Sequence, residues 1–513
     1  MKKIVFAVPR EEDPVIFTFA PLAVMGLARE VKKAGYRPLI LDAKMLKGDF
    51  LPTLERELAD DALLLWCSGK TGRQLRDLCD AARLAKKLDP AFPVVFGGWH
   101  ATMDTERTLA APFVDFVARG QAERTLPELA LALERKAGLA DLQAINGLAG
   151  KDPGGRAWIA PARDWERNLD AFGPTPWDLI DLEFYVTADH GRCQPMVRFT
   201  KLSINYTWSR GCHGKCAFCH ITALWHGHWF SHSPEFVLSE IDHLVNEYQV
   251  EGIDFHDSNF FTGLPKARKI LDGIIERGHK FKWKCSIRAD QVLSYDDEMM
   301  DRIVRSGCVE FAIGAEGGER VLALVNKETS QDQIIDCSKK CGRWGILPEY
   351  SFMVGFPDEK NWSDTKQTLA FMARLRQISP NAMAEYFYYT PFPDTPLFNG
   401  YASAYLPRHD TIEDYANFNT YAPSMPWVDA KLARLLKMAS RFYFKFAIPD
   451  DSMQTRMKKP GIAGLALRLM RKISDWRVRK LNYRFPVEYE AARFVKDVLI
   501  GKLGIFKRLR EVL

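Results

Sequence analysis

Three cysteines, Cys212, Cys216 and Cys219, fall within eight residues in the segment Ser209-Arg210-Gly211-Cys212-His213-Gly214-Lys215-Cys216-Ala217-Phe218-Cys219. The spacing is C-x3-C-x2-C, and the small residues between the thiols let the loop wrap tightly. Thiolates are soft ligands, suited to an iron–sulfur cluster or to zinc. A structural zinc ion wants four ligands, and His213 or His220 could complete such a set. A cubane held by three cysteines instead leaves one iron uncovered. An open coordination position is what a catalytic metal needs.

Other groups of this kind carry less. His226, His228 and His232 follow the loop and read either as a second metal set or as a polar loop with an occasional substrate contact. Cys337 and Cys341 are four apart, on one face of an expected helix, and read as a buried pair.

The elements that must position the cysteines alternate in type. Strand candidates are 203–207, 252–255, 282–287, 309–313, 350–354 and 384–389, separated by helical stretches such as 234–248 and 332–344. Six β–α units are short of a full eight-unit barrel and fit a partial one. Polar residues gather where these strands end: Asp254–Asn259, Cys285–Arg288, Gly314–Gly318, Met353–Pro357 and Tyr389–Pro391. Parallel barrels place their active mouth at those ends.

At the cysteines the sequence resembles the radical S-adenosylmethionine (radical SAM) superfamily. Cys212, Cys216 and Cys219 match its cluster motif, with the aromatic Phe218 before the last cysteine, and the resemblance covers roughly residues 200–395. It implies a 4Fe-4S cluster on those three thiolates. It also implies that the open iron chelates S-adenosyl-L-methionine, and that an electron cleaves the sulfonium to give a 5′-deoxyadenosyl radical. Ser286, Arg288 and Glu316, with Asp257 as a fourth, are the expected S-adenosylmethionine contacts. The electron would come from a reductant protein such as flavodoxin or ferredoxin.

The first 135 residues also alternate short apolar runs with helices, which reads as an open, doubly wound parallel sheet. Such sheets bind ligands at the carboxyl ends of their strands. No GxGxxG follows the first strand, so an ordinary dinucleotide site is not expected. Gly97-Gly98 and Arg119-Gly120 close two strands, as turns or as places where a large flat ligand meets backbone. Ahead of such a barrel, this part resembles the Rossmann-like cobalamin-binding domain of the cobalamin-dependent branch. The resemblance implies Trp66, Ser68, Gly97, Gly98, Gly120 and Glu123 as cobalamin contacts, with Trp66 or a neighbour covering cobalt. The Asp-x-His-x-x-Gly signature of histidine-ligated cobalamin is missing: Leu41-Asp42-Ala43-Lys44-Met45 keeps only the aspartate.

The expected fold class is therefore α/β: a cobalamin-binding domain over 1–135, a linker over 136–195, a partial (β/α)6 barrel over 196–395 and a helical C-terminal region over 396–513. At 513 residues, with 47% hydrophobic and 27% charged residues, the composition is that of a globular chain and excludes a fibrous or disordered one. No apolar run approaches bilayer length, and the N-terminus is too short for a signal peptide, so a cytoplasmic protein is expected.

Charge is uneven. Residues 452–513 hold 16 Lys and Arg against 5 Asp and Glu, within a chain of net +6. Ile462, Leu465, Ala466, Leu469, Ile473 and Trp476 recur at helical spacing in this tail. Such a helix either packs its stripe on the barrel with the basic face in water, or lies peripherally on an anionic inner membrane surface. A nucleic-acid partner is not expected, because no reader motif accompanies the basic tail. The family likeness implies a C-methyltransferase, and the membrane reading of the tail implies a hydrophobic small molecule or lipid as its substrate. Oxidative cyclisation or carbon–carbon coupling, and a non-catalytic cobalamin or iron–sulfur sensor, are the alternatives.

Overall fold

Lys3–Val8 (β1) is buried along its whole length, which requires a sheet covered on both faces. The computed structural model, which describes residues 1–10, 18–186, 196–449 and 451–494, shows that sheet. Arg37–Asp42 (β2), β1, Ala62–Ser68 (β3), Val94–Gly97 (β4) and Phe116–Ala118 (β5) run parallel in the order β2-β1-β3-β4-β5. Alternate side chains feed two cores. Val5, Ala7, Leu65, Cys67 and Phe96 point to one face, and Ile4, Phe6, Leu64, Trp66 and Val95 to the other. The strand order reverses between β1 and β3, so the ligand crevice opens at their carboxyl ends.

The sheet extends into the stretch expected to be a linker. Leu148–Lys151 (β6) and Ala157–Ile159 (β7) add two antiparallel strands beyond β5. Asp152 shapes the turn between them, its Oδ1 accepting from the Gly154 and Arg156 amides at 2.9 Å each. Strands of four and three residues are too short to show a period, which is why the pattern missed them. After Ile159 the chain packs on both neighbours. Arg29 donates to the Gly173 carbonyl at 2.6 Å, and Leu169 and Phe172 share a small core with Phe230.

The second sheet holds the six expected strands, all parallel. Ser203–Tyr206 (β8), Gly252–Phe255 (β11), Lys282–Ser286 (β12), Cys308–Glu316 (β13), Leu347–Val354 (β14) and Met383–Tyr388 (β15) lie in that order. Between β8 and β11, Ser209–Gly211 (β9) and Trp229–Ser231 (β10) form an antiparallel ribbon. β13 and β14 outrun their apolar patterns because Glu316 and Glu349 belong to the strands without being apolar. Asn205, Asp254, Lys284 and Glu310 stand side by side in register. Lys284 Nζ lies 3.6 Å from Asp254, 3.2 Å from Glu349 and 3.8 Å from Glu310, and Arg198 approaches Glu310 at 2.7 Å. Burying these charges costs several kcal/mol each unless they are paired, and here every carboxylate faces a cation. Asn205 donates to and accepts from the Ala20 backbone at 3.1 and 2.7 Å, fastening the first half of the chain to the barrel.

The C-terminal region is helical. Ile412, Tyr415 and Phe418 enter the core of the N-terminal sheet. The helix Ile462–Lys480 turns Leu467, Met470 and Val478 toward the barrel core and buries Ser474 and Arg477. The stripe read from the sequence is therefore not the packed face. Leu465, Leu469 and Trp476 remain 61%, 59% and 50% exposed; the Ile462 side chain lies outside the described residues. Two contacts fix this rotation. Gly464 sits against the Lys459 carbonyl, where a side chain would collide. Arg477 pairs with Glu488 and donates to the carbonyls of Asn482, Arg484 and Phe485.

Candidate functional site

The cysteine loop is held from four directions. Ser209 donates through its amide and hydroxyl to Asp257 Oδ1 at 2.7 and 2.6 Å. Ala217 N donates to the Val325 carbonyl and Leu397 N to the Ala217 carbonyl, both at 2.8 Å. Asn326 Nδ2 reaches the Lys215 carbonyl at 3.0 Å. Phe218 packs against a small core of Val325, Met353, Phe356 and Leu397.

Within the loop, Gly214 N donates to Cys212 Sγ at 3.3 Å. A Cβ at Gly214 would sit 3.4 Å from Cys212 Sγ and 4.0 Å from Cys216 Sγ, so both sulfurs gather about one point. Among the described residues no three His, Cys, Asp or Glu side chains stand close enough to share a single ion. A cubane takes each thiolate on a different iron, so its three ligands need not converge on a single ion. Burial pushes the Cys219 thiol up to about 11 and Cys216 above its ordinary value. Such thiols become ligands when a metal replaces the proton. The donor set fits an iron–sulfur cluster.

The four expected S-adenosylmethionine contacts divide in two. Ser286 is half-buried at the end of β12, and Arg288 lies just beyond it. Arg288 donates to Asp290 Oδ1 at 3.0 Å and to the Lys327 carbonyl at 2.9 Å, and is close enough to Cys216 to feel its charge. Glu316 is buried and accepts from Lys327 Nζ at 2.6 Å. The pair lies over Gly314, where a Cβ would strike both groups. Asp257 faces the loop backbone instead. One oxygen is taken by Ser209, and burial pushes the group up to about 7. It positions β9 from below, a role its place at a strand end did not reveal. Lys327 was invisible in the sequence, because a lone lysine after a helix carries no pattern.

In the N-terminal domain two expected contacts are corrected. Trp66 is fully buried, packed against Phe6 and beneath Gly97. Exposing such a ring would forfeit about 3 kcal/mol, so it belongs to the core and covers no ligand. Glu123 is buried and pairs with Arg210 of β9 at 2.5 Å, tying the two domains together. Gly98 has a φ of +78°, and a Cβ there would lie 2.5 Å from Ser68 Oγ. Ser68, Gly97 and Gly98 thus meet at the carboxyl ends of β3 and β4. Gly120 ends the next strand, its amide donating to Thr102 at 3.1 Å.

Between the domains stands a residue that sequence reasoning passed over. Trp99, 40% exposed, lies on His220 with ring centroids 3.9 Å apart. His220 directly follows Cys219 and also meets Phe392 edge-on. Burial, reinforced by Lys70, lowers it to about 3, so it is neutral. The carboxyl-end face of the first sheet therefore abuts the cluster loop. His100 keeps its Nε2 buried without a hydrogen-bond partner among the described residues. It is buried, its Nδ1 is engaged with Thr71 Oγ1 at 2.9 Å, and burial lowers it to about 3.

The remaining groups resolve simply. His232 meets Asp170 at 2.8 Å and stacks on Phe236, while His228 stacks on Phe230. His226 is exposed and donates its amide to the Thr222 carbonyl. Cys337 and Cys341 are fully buried on one helix, as a core pair.

A thiolate loop at the mouth of a partial parallel barrel, faced by a doubly wound domain, defines an enzyme that works with an iron–sulfur cluster and a second large cofactor. Residues 206–372 match the family model of the Radical SAM superfamily, and residues 15–130 that of the B12 binding domain. Over those residues the chain carries a radical SAM domain together with a B12 binding domain, and the cofactors these domains take are the 4Fe-4S cluster, S-adenosylmethionine and cobalamin. An uncharacterised methyltransferase of Pyrococcus horikoshii is 29% identical, covering 64% of this chain and 67% of that protein. The anaerobic magnesium-protoporphyrin IX monomethyl ester cyclase of Rubrivivax gelatinosus is 26% identical, covering 79% and 69% respectively. The structure of the radical S-adenosylmethionine methyltransferase TsrM from Kitasatospora setae, with cobalamin and [4Fe-4S] cluster bound, superposes with a TM-score of 0.65 at 16% identity. That match covers 90% of this chain and 92% of TsrM.

Proposed function

We propose that the enzyme transfers a methyl group to an unactivated carbon of a hydrophobic small molecule or lipid. The observation that carries this reading is the Trp99–His220 stack, which closes the cobalamin domain against the cluster loop. When bound, the cluster and S-adenosylmethionine supply a hydrogen-abstracting radical, and cobalamin supplies the methyl group. The chain's residues prepare the space. Cys212, Cys216 and Cys219 hold the cluster, and Arg288 and the Glu316–Lys327 pair place charge beside Cys216. Ser286, Arg288 and Glu316 meet S-adenosylmethionine, while Ser68, Gly97, Gly98 and Gly120 present backbone to cobalamin. A reductant protein such as flavodoxin or ferredoxin delivers the electron. The Pyrococcus relative and TsrM, both named methyltransferases, support the methyl-transfer reading.

A second reading, oxidative ring formation, draws on the cyclase relative, which aligns with 79% of the chain. Product analysis separates the two. Reconstituted anaerobically with reductant, S-adenosylmethionine and a hydrophobic acceptor fraction, the enzyme should release S-adenosylhomocysteine and 5′-deoxyadenosine in equal amounts. One molecule gives up its methyl group and the other its adenosyl radical. Release of 5′-deoxyadenosine alone would favour ring formation and overturn methyl transfer.

A further inference from the structure

The C-terminal helix Ile462–Lys480 shows water a face that a packed helix would hide. Leu465, Leu469, Lys472, Trp476 and Arg479 recur at i, i+4, i+7, i+11 and i+14, so they form one stripe. Leu467, Met470, Ser474 and Val478 form the opposite, inward stripe. Arg468, Arg471, Lys472, Arg479 and Lys480 are all exposed. Asp475 is the helix's one acidic residue, and Arg479 pairs with it at 2.9 Å. Phe485, Val487 and Phe494, on the turn and helix that follow, are also exposed. Among the described residues, six of the sixteen large apolar side chains left exposed therefore fall between residues 465 and 494, which marks a surface with a use.

Charge decides what the surface fits. A protein interface depletes lysine at its centre. Here Lys472 stands within the apolar stripe, between Leu469 and Trp476. The boundary of an anionic bilayer accepts this mixture, taking leucine and tryptophan among the headgroups while lysine and arginine extend their charges to phosphate. Among the described residues no helix is long and apolar enough to cross a membrane, so the contact is one of lying on the surface. We propose that this face docks the enzyme on a bilayer containing anionic lipid, with Leu465, Leu469 and Trp476 inserted and Lys472, Arg479 and Lys480 meeting lipid phosphates. The contact is independent of the chemistry proposed above, and either can fail alone.

The test is co-sedimentation of the full chain with phosphatidylcholine vesicles, with and without phosphatidylglycerol. The chain should pellet with the anionic vesicles at low salt and be released as salt rises. Neutralising Lys472 and Lys480 to glutamine should weaken binding about fivefold each. Leu469→Ser with Trp476→Ser should abolish binding, with reductive cleavage of S-adenosylmethionine intact as the control for folding. A chain that stays in solution with anionic vesicles overturns the proposal. So does equal binding to neutral vesicles, or binding that the serine variant retains. A dimer that the serine variant converts to monomer would assign the face to a second copy of the chain and overturn it too.

Discussion

A histidine with both nitrogens buried tolerates only its neutral form, and His100 is in that position. Its folded value near 3 lies below the ordinary 6.5 of a histidine. Between those values the unfolded chain takes up a proton that the folded chain refuses. Stability is therefore complete above about pH 6.5 and falls as pH drops through the window, by up to about 1.4 kcal/mol per pH unit for one such group. His220, lowered to about 3, and His232, lowered to about 4, add to the slope. Urea unfolding followed from pH 7 to pH 4 should show this loss, and His100→Gln should reduce the proton uptake by about one. An unchanged slope would mean that His100 titrates freely. Legibility at this scale follows distance along the chain. The cysteines announce themselves because their spacing is local. Glu316–Lys327 and Glu123–Arg210 do not, because nothing in either partner's neighbourhood points to the other. Trp66 misled because an aromatic at a strand end looks the same whether its ring turns to the ligand or to the core.

Helices and strands were legible where their period was long and their faces purely apolar or polar. All six barrel strands were, since their outward side chains form an unbroken apolar set. β6 and β7 were too short, and the helix Ile462–Lys480 carries leucine, methionine or valine on both faces, so composition could not fix its rotation. The most consequential element is the short helix Gly98–Met103, which carries Trp99 onto His220 at the start of the helix His220–Trp225. A stack of this kind contributes about 0.5–1.5 kcal/mol beyond its buried area. Its larger effect is on alignment, since misplacement of about 1 Å can cost a hundredfold in rate. Trp99→Ala should leave 5′-deoxyadenosine formation within about twofold of wild type while lowering S-adenosylhomocysteine release about tenfold or more. If both products fall together, Trp99 only supports the fold.

At the scale of the molecule, the two sheets are fastened at several separate places. Asn205 grips Ala20, Arg210 meets Glu123, and Tyr185 donates to Asp42. Ile412 and Tyr415 return to the first core across some 300 residues of chain, with Arg76 donating to Asn417 at 2.8 Å. The order of the domains was readable from alternating patterns, but this clasp was not, because no local feature of residues 412–418 says which surface they will meet. The clasp holds one cofactor domain against the other, and the account stands on both being occupied in one molecule. The optical spectrum of the anaerobically reconstituted protein, wild type beside Cys219→Ala, tests this most directly. The wild type should show cobalamin bands together with broad iron–sulfur absorption, and Cys219→Ala should lose the iron–sulfur absorption while keeping the cobalamin bands. A wild-type protein that takes up the cluster but no cobalamin, or a Cys219→Ala variant with an undiminished cluster, would contradict it.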